Sequence, residues 1–249
     1  MSAEITSYAE QMLMGRIHAK SDSFARNLEF AKNGIEATLK IAPRCYVGIS
    51  FGKQSICMAH LVQSIRSDIP MFFLASTETW ALYDYAEVIE DYCSRFSPNL
   101  TIVQTDRLSG AKDWKGARDA GDQDLQNMCK RGKWDGWFWG LSVDESKARK
   151  ITIKKGVAQN SGHPSIYRYS DGKHRCCPIM NWGIKDLAAY ISLHDLRVLN
   201  IYRKYGLTQR TTARITKKMV GNDGMALARQ TSGGQLRKLM NEFPEVKVT

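Results

Sequence analysis

One stretch constrains the fold more than any other. An apolar run, Cys45-Tyr46-Val47-Gly48-Ile49, passes through the small polar segment Ser50-Phe51-Gly52-Lys53-Gln54-Ser55 into a helical pattern over Ile56–Ile65. Asp68-Ile69-Pro70 breaks that pattern, and Met71-Phe72-Phe73-Leu74-Ala75 reads as a second buried strand. An amphipathic helix follows over Tyr83–Phe96, and then a third strand, Leu100-Thr101-Ile102-Val103. Strands alternating with helices through short joints predict a parallel sheet with helices packed on its faces.

The rest of the chain extends this plan. Ser23–Lys40 has apolar residues at helical spacing, with N-cap candidates at Ser21, Asp22 and Ser23, and Pro43 ends it. Trp134–Leu141 reads as a fourth buried strand, with its tryptophans as core and helix-packing residues. Ile166–Tyr169, a Ser170-Asp171-Gly172 turn and Arg175–Ile179 predict a β-hairpin. Ile184–Leu193 is helical, and beyond Leu196 the sequence is basic and weakly periodic. The expected organisation is a helical segment over 1–40, a nucleotide-binding domain over 41–195 and a basic extension over 196–249.

Charge divides the chain unequally. Residues 1–140 carry 16 Lys/Arg against 17 Asp/Glu, and residues 141–249 carry 20 against 8, so the net +11 comes wholly from the second part. That asymmetry suits either a polyanionic partner, such as DNA or tRNA, or a solvated surface. No apolar run reaches the ~20 residues of a membrane span, and the first twenty residues lack a signal-peptide pattern. A cytoplasmic location with no membrane partner is therefore expected, and the six cysteines are expected reduced. No Cys-x-x-Cys pair occurs, and His60, His163, His174 and His194 show no metal spacing.

The segment 50–55 has a chemistry of its own. A strand-to-helix turn aims backbone N–H groups and a helix dipole at an anion. Gly52 allows close approach, Lys53 brings a positive charge, and Ser50 and Ser55 offer hydroxyls. It is not a Gly-x-x-x-x-Gly-Lys loop, because Val47 stands where the first glycine belongs. Taken alone, it also fits an ordinary strand–helix joint.

Segment 50–55 resembles the Ser-x-Gly-x-x-Ser pyrophosphate motif of the PP-loop superfamily, in the form seen in phosphoadenylyl-sulfate (PAPS) reductases. Three further segments follow in the family's order. Asp68–Leu74 with Thr77 resembles the second strand, and Gly140-Leu141-Ser142-Val143-Asp144-Glu145-Ser146 with Arg149 resembles the Gly-[Ile/Leu]-Arg-Arg-Asp-Glu-Ser segment. Cys177-Pro178-Ile179 with Trp182, Asp186 and Tyr190 resembles the Pro-Ile-x-x-Trp block.

This resemblance implies an α/β fold, a doubly wound parallel sheet of the adenine nucleotide α-hydrolase type. It implies an enzyme acting on ATP or PAPS with Mg²⁺. Lys53, Asp144 and Arg149 become catalytic candidates. Ser50, Phe51, Gly52, Lys53, Gln54, Ser55, Thr77, Trp80, Gly140, Arg210 and Arg214 become nucleotide-binding candidates. Asp144 and Glu145 serve either as Mg²⁺ ligands or as caps of the following helix. A homodimer is left open.

The sequence departs from the family in three places. The C-terminal Glu-Cys-Gly-Leu-His cysteine is missing, since no cysteine follows Cys177. Ser142 and Val143 replace the paired arginines. The cysteine set does not suit an iron–sulfur cluster, so none is expected. Cys176 and Cys177 either pack in a hairpin or handle sulfur as a persulfide or sulfenate. These departures point to relatives that cleave the α–β bond of ATP for sulfur transfer or nucleic-acid modification, as in DNA phosphorothioation and phage homologues. The alternatives are PAPS or adenylyl-sulfate reduction, and a non-catalytic nucleotide- or nucleic-acid-binding role.

Overall fold

The computed structural model describes residues 7–75, 83–104, 132–142, 151 and 162–209. Within them the elements run α1 (Tyr8–His18), α2 (Asp22–Ile41), β1 (Cys45–Ile49), α3 (Lys53–Ile65), β2 (Met71–Ala75), α4 (Tyr85–Phe96) and β3 (Leu100–Gln104). They continue with β4 (Gly136–Trp139), β5 (Ile166–Arg168), β6 (His174–Cys176), α5 (Ile184–His194) and α6 (Asn200–Tyr205).

The strands form one six-stranded sheet in the order β3-β2-β1-β4-β6-β5. All neighbours pair parallel except β5 and β6, which form the antiparallel hairpin expected from the Ser170-Asp171-Gly172 turn. Gly172 takes φ 84° there, and Lys173 N–H donates to Asp171 Oδ1 at 3.2 Å. From β1 the chain steps outward through β2 to β3, then crosses back to place β4 on the other side of β1. The connection reverses direction between β1 and β4, and such a switch point opens a crevice at the carboxyl ends of the two strands.

The periodicities explain the helices. In α2, Phe24, Ala31, Gly34, Ile35 and Thr38 are buried, and the Ser21 hydroxyl accepts from Phe24 N–H at 3.2 Å as its cap. In α4, Tyr85, Val88, Ile89 and Tyr92 form the buried stripe. Strand β1 is buried along nearly its whole length, as befits a central parallel strand, whereas β3 at the edge is largely exposed. Helix α1 crosses α5 at close range: a Cβ on Gly15 would stand 2.5 Å from Ala188 C and 2.7 Å from Ala188 Cβ.

Four expectations shift. Helix α3 starts at Lys53 rather than Ile56, so Lys53, Gln54 and Ser55 form its first turn. The fourth strand contracts to Gly136–Trp139, and Trp134 precedes it. The tryptophans lie on one aromatic sheet face rather than deep in the core. Trp137 stacks on Tyr46 and Tyr169 at 6.3 and 5.1 Å, Trp134 meets Tyr46 and Phe72, and Trp139 is 45% exposed. The basic extension is not uniformly irregular, because α6 packs Ile201 and Tyr202 into the core. Among the described residues no helix is long and apolar enough to cross a membrane.

Candidate functional site

The polar loop lies at the carboxyl end of β1, beside the end of β4. The residue that turns the chain is Phe51, with φ 51°, while Gly52 is extended at φ −69° and serves as the N-cap of α3. A left-handed phenylalanine costs about 1–2 kcal/mol. Burial of its ring edge-on against Phe73 at 5.2 Å and Tyr92 at 5.9 Å offsets that cost. Gly52, expected to allow close approach to an anion, keeps an extended backbone beside Phe51.

The loop closes on itself through Ser50 N–H, which donates to Ser55 Oγ at 2.7 Å. Lys53 N–H meets the Tyr202 hydroxyl at 3.4 Å. Among the described residues, the N–H groups of Phe51, Gly52 and Gln54 have no acceptor. With the start of α3 behind them, these are the donors the loop can present to an anion.

Gly140 bears on the same turn from β4. A Cβ there would lie 2.9 Å from Ser55 Cα, 3.0 Å from Ser55 N and 3.1 Å from Gln54 C. Only a glycine lets the end of β4 approach the first turn of α3 so closely. Two residues on, Ser142 is buried and its hydroxyl donates to the Trp182 carbonyl at 2.6 Å. The serine standing where the family pattern has arginine thus ties the Gly140 segment to the Trp182 segment.

Lys53 is only 3% exposed. Its ammonium donates to the Gln209 carbonyl at 2.8 Å and lies 5.0 Å from the centre of the Tyr202 ring. Tyr202 and Gln209 escaped the sequence reading because their stretch is only weakly periodic. Asp84 escaped it too. Its Oδ1 accepts from Asn200 N–H at 2.9 Å, fastening the start of α6, while its Oδ2 is buried without a partner. Burial raises the Asp84 pKa, and Arg197 partly opposes the rise.

The Trp182–Asp186–Tyr190 block is architectural. Asp186, 6% exposed, accepts from Gly183 N–H at 2.9 Å, from Asn27 Nδ2 at 3.2 Å and from His18 Nε2 at 2.9 Å. Tyr190 meets His60 Nδ1 at 2.8 Å, and Trp182 Nε1 donates to the Asn27 carbonyl at 3.3 Å. Together these bonds fix α5 to α1, α2 and α3.

Cys176 and Cys177 are 0% and 4% exposed. Burial pushes their thiols up to about 12 and about 11, so neither is a thiolate near neutral pH. The Cys176 thiol donates to the Gly34 carbonyl at 3.6 Å and shares a hydrogen bond with Ser165 Oγ at 3.4 Å. Thr77, Trp80, Asp144, Glu145, Arg149, Arg210 and Arg214 lie outside the described residues. The structure therefore brings together Ser50, Phe51, Gly52, Lys53, Gln54, Ser55 and Gly140, while Cys176 is buried against Ser165 and Gly34 and Cys177 packs with Leu141 and Met180.

The family model described as "Phosphoadenosine phosphosulfate reductase domain" matches residues 44–208. A phosphoadenosine 5'-phosphosulfate reductase of Vibrio atlanticus is 24% identical over 196 residues, covering 75% of this chain and 71% of that protein. One from Shewanella oneidensis is 26% identical over 153 residues, covering 59% of this chain and 60% of that protein. An adenosine 5'-phosphosulfate reductase of Halalkalibacterium halodurans is 24% identical, covering 62% of this chain and 67% of that protein. These matches span 60% to 71% of the relatives' own lengths. Among solved structures, a phosphoadenylyl-sulfate reductase from Candida auris in complex with phosphate aligns with a TM-score of 0.48 and 14% identity, covering 78% of this chain and 89% of that one.

Proposed function

The chain belongs to the phosphoadenosine phosphosulfate reductase domain family, and from that premise we propose that it is an enzyme that cleaves the α–β phosphate bond of ATP. The observation that carries this reading is the turn at 50–55. Three N–H groups without acceptors among the described residues sit at the switch point of a mostly parallel sheet, at the start of a helix and beside a buried lysine.

In this mechanism the loop N–H groups of Phe51, Gly52 and Gln54 hold the pyrophosphate part of the nucleotide. An acceptor attacks the α-phosphorus, the bond from that phosphorus to the bridging oxygen breaks, and pyrophosphate leaves with the bonding electrons. The acceptor is left adenylylated. A phosphate oxygen is a stronger acceptor than an amide carbonyl, so bound nucleotide draws Lys53 Nζ away from Gln209. The ammonium then opposes the charge that gathers on the leaving group. Mg²⁺ belongs to the same proposal through Asp144 and Glu145, with Arg149, Arg210 and Arg214 as further phosphate contacts and Thr77 and Trp80 beside the adenosine. The basic second part of the chain makes DNA or tRNA the acceptor class of choice.

The relatives' names support a second reading, in which PAPS or adenylyl sulfate is reduced. The state of Cys176 and Cys177 counts against those two thiols as the nucleophile. On this reading the attacking thiol comes from elsewhere.

Pyrophosphate and AMP release from ATP with Mg²⁺ tests the proposal, with and without DNA or tRNA. The expected result is release that Lys53→Ala reduces at least tenfold. No release under any of these conditions, combined with thiol-dependent sulfite release from PAPS, overturns it in favour of reduction. Binding of nucleotide with neither product leaves a binding-only protein.

A further inference from the structure

A cavity of about 450 Å³ opens between α1, α4, α5 and α6. Four arginines from four parts of the chain line it: Arg16 of α1, Arg95 of α4, Arg197 of the 195–199 connection and Arg203 of α6. Two carboxylates, Asp91 and Asp195, share the lining, so its formal charge is positive.

The arginines are unequally engaged. Arg95 is committed: it donates to Asp91 Oδ2 at 3.4 Å, to the His194 carbonyl at 3.0 Å and to the Asp195 carbonyl. Arg203 faces the Tyr8 hydroxyl, whose pKa burial raises and Arg203 holds back. Arg197 Nε is buried with no hydrogen-bond partner, and Arg16 has no ion-pair partner among the described residues. A buried N–H of a guanidinium without an acceptor is costly. An oxyanion in the cavity removes that cost.

The walls are held in place before any ligand arrives. Arg95 grips the end of α5, Asp84 holds Asn200 N–H, and Gln11 Oε1 accepts from Leu207 N–H at 2.6 Å. The connection carrying Arg197 and the helix carrying Arg203 are thus pinned at both ends, which lowers the ordering cost of binding.

We propose that this cavity is a second anion site, separate from the loop at 50–55, and that it takes a small phosphate-bearing molecule with at least two negative charges. Arg16, Arg197 and Arg203 supply its contacts. A concave site of this volume suits a small molecule, whereas a nucleic-acid backbone is met along an extended basic stripe. The inference does not depend on the reaction proposed for the loop.

Titration calorimetry with inorganic pyrophosphate tests it on the full chain. The parent protein is expected to bind two equivalents. Lys53→Ala should lose one, and Arg16→Gln/Arg197→Gln should lose the other or weaken it at least tenfold, since each removes a charge-assisted contact. Urea unfolding of the double variant, which alters side chains at the cavity's rim and connection, checks that it still folds. A variant carrying Arg197→Lys, which keeps the charge and loses the buried Nε–H, should fall between parent and Arg197→Gln. The proposal is overturned if the parent binds a single equivalent that Lys53→Ala abolishes. It is equally overturned if the folded double variant binds both, or if the arginines govern oligonucleotide binding and pyrophosphate binding is indifferent to them.

Discussion

Replacing Gly140 by alanine tests the link between the sheet and the loop at 50–55. The new methyl group would lie 2.9 Å from Ser55 Cα, 3.0 Å from Ser55 N and 3.1 Å from Gln54 C. All three are backbone atoms of the first turn of α3, so no side chain can rotate aside. Strand and helix must separate by several tenths of an ångström, and overpacking of this kind costs about 1–3 kcal/mol. With a urea m-value of about 3 kcal/mol per molar, the unfolding midpoint falls by about 0.3–1 M. The same displacement moves Gln54 and Ser55, and with them the Ser50 N–H bond to Ser55 Oγ. ATP affinity should fall by about tenfold, equivalent to about 1.4 kcal/mol. Gly48→Ala is the control, since the nearest atom to its added Cβ is the Phe138 carbonyl oxygen at 4.0 Å. Circular dichroism in urea and calorimetry with ATP read the two effects separately. If Gly140→Ala keeps both the midpoint and the ATP affinity of the parent, the close approach is not what shapes the loop.

Three further predictions concern the scaffold. Asp186→Ala strands the donors of Gly183, Asn27 and His18. At about 1 kcal/mol for each it should cost about 3 kcal/mol in urea unfolding while ATP affinity of the folded protein stays within twofold. Burial, with His194 and Arg95 adding repulsion, lowers the His60 pKa to about 4. The unfolded chain therefore binds protons below about 6.5 that the folded chain refuses until about 4. Stability from neutral His60 is complete above pH 6.5 and declines as the pH falls toward 4, so the melting temperature between pH 7.5 and 4.5 should fall less steeply in His60→Gln. Iodoacetamide at pH 8 should leave Cys45, Cys176 and Cys177 unmodified in the folded protein, since burial pushes Cys45 and Cys176 to about 12 and Cys177 to about 11. Half-buried Cys93 should react ahead of them, and peptide mapping by mass spectrometry checks the order.

The strand–turn–helix around Ser50–Ser55 was legible because every residue that makes it is contiguous. An apolar run, a small polar turn and a helical period are all visible in one window: β1 lies where that window puts it, and α3 ends there but begins three residues earlier, at Lys53. The alternation of elements likewise announced a parallel sheet, and the turn at Asp171-Gly172 announced the antiparallel hairpin at its edge. Local patterning failed where conformation is decided by what a ring packs against. Phe51 takes a left-handed turn with its ring buried against Phe73 and Tyr92, a conformation that the local pattern of the loop does not announce.

What sequence could not reach is the long-range wiring of the site. Tyr202 meets the Lys53 amide across 149 positions, Gln209 receives its ammonium across 156, and Asp84 holds the start of α6 across 116. A helix of six residues is too short to show a period, so α6 disappeared into a basic tail. Its position changes how the tail is understood. Arg203 and Tyr202 are neighbours on one short helix, one at the cavity wall and the other against Lys53. The family block Trp182–Asp186–Tyr190 shows the complementary lesson, because its side chains spend their hydrogen bonds on α1, α2 and α3. A motif can mark a family by the scaffold it builds as well as by the chemistry it performs. In this chain the ordered motifs divide accordingly: 50–55 and Gly140 shape the turn proposed to hold phosphate, while Ser142 and the Trp182 block hold the sheet and helices around it.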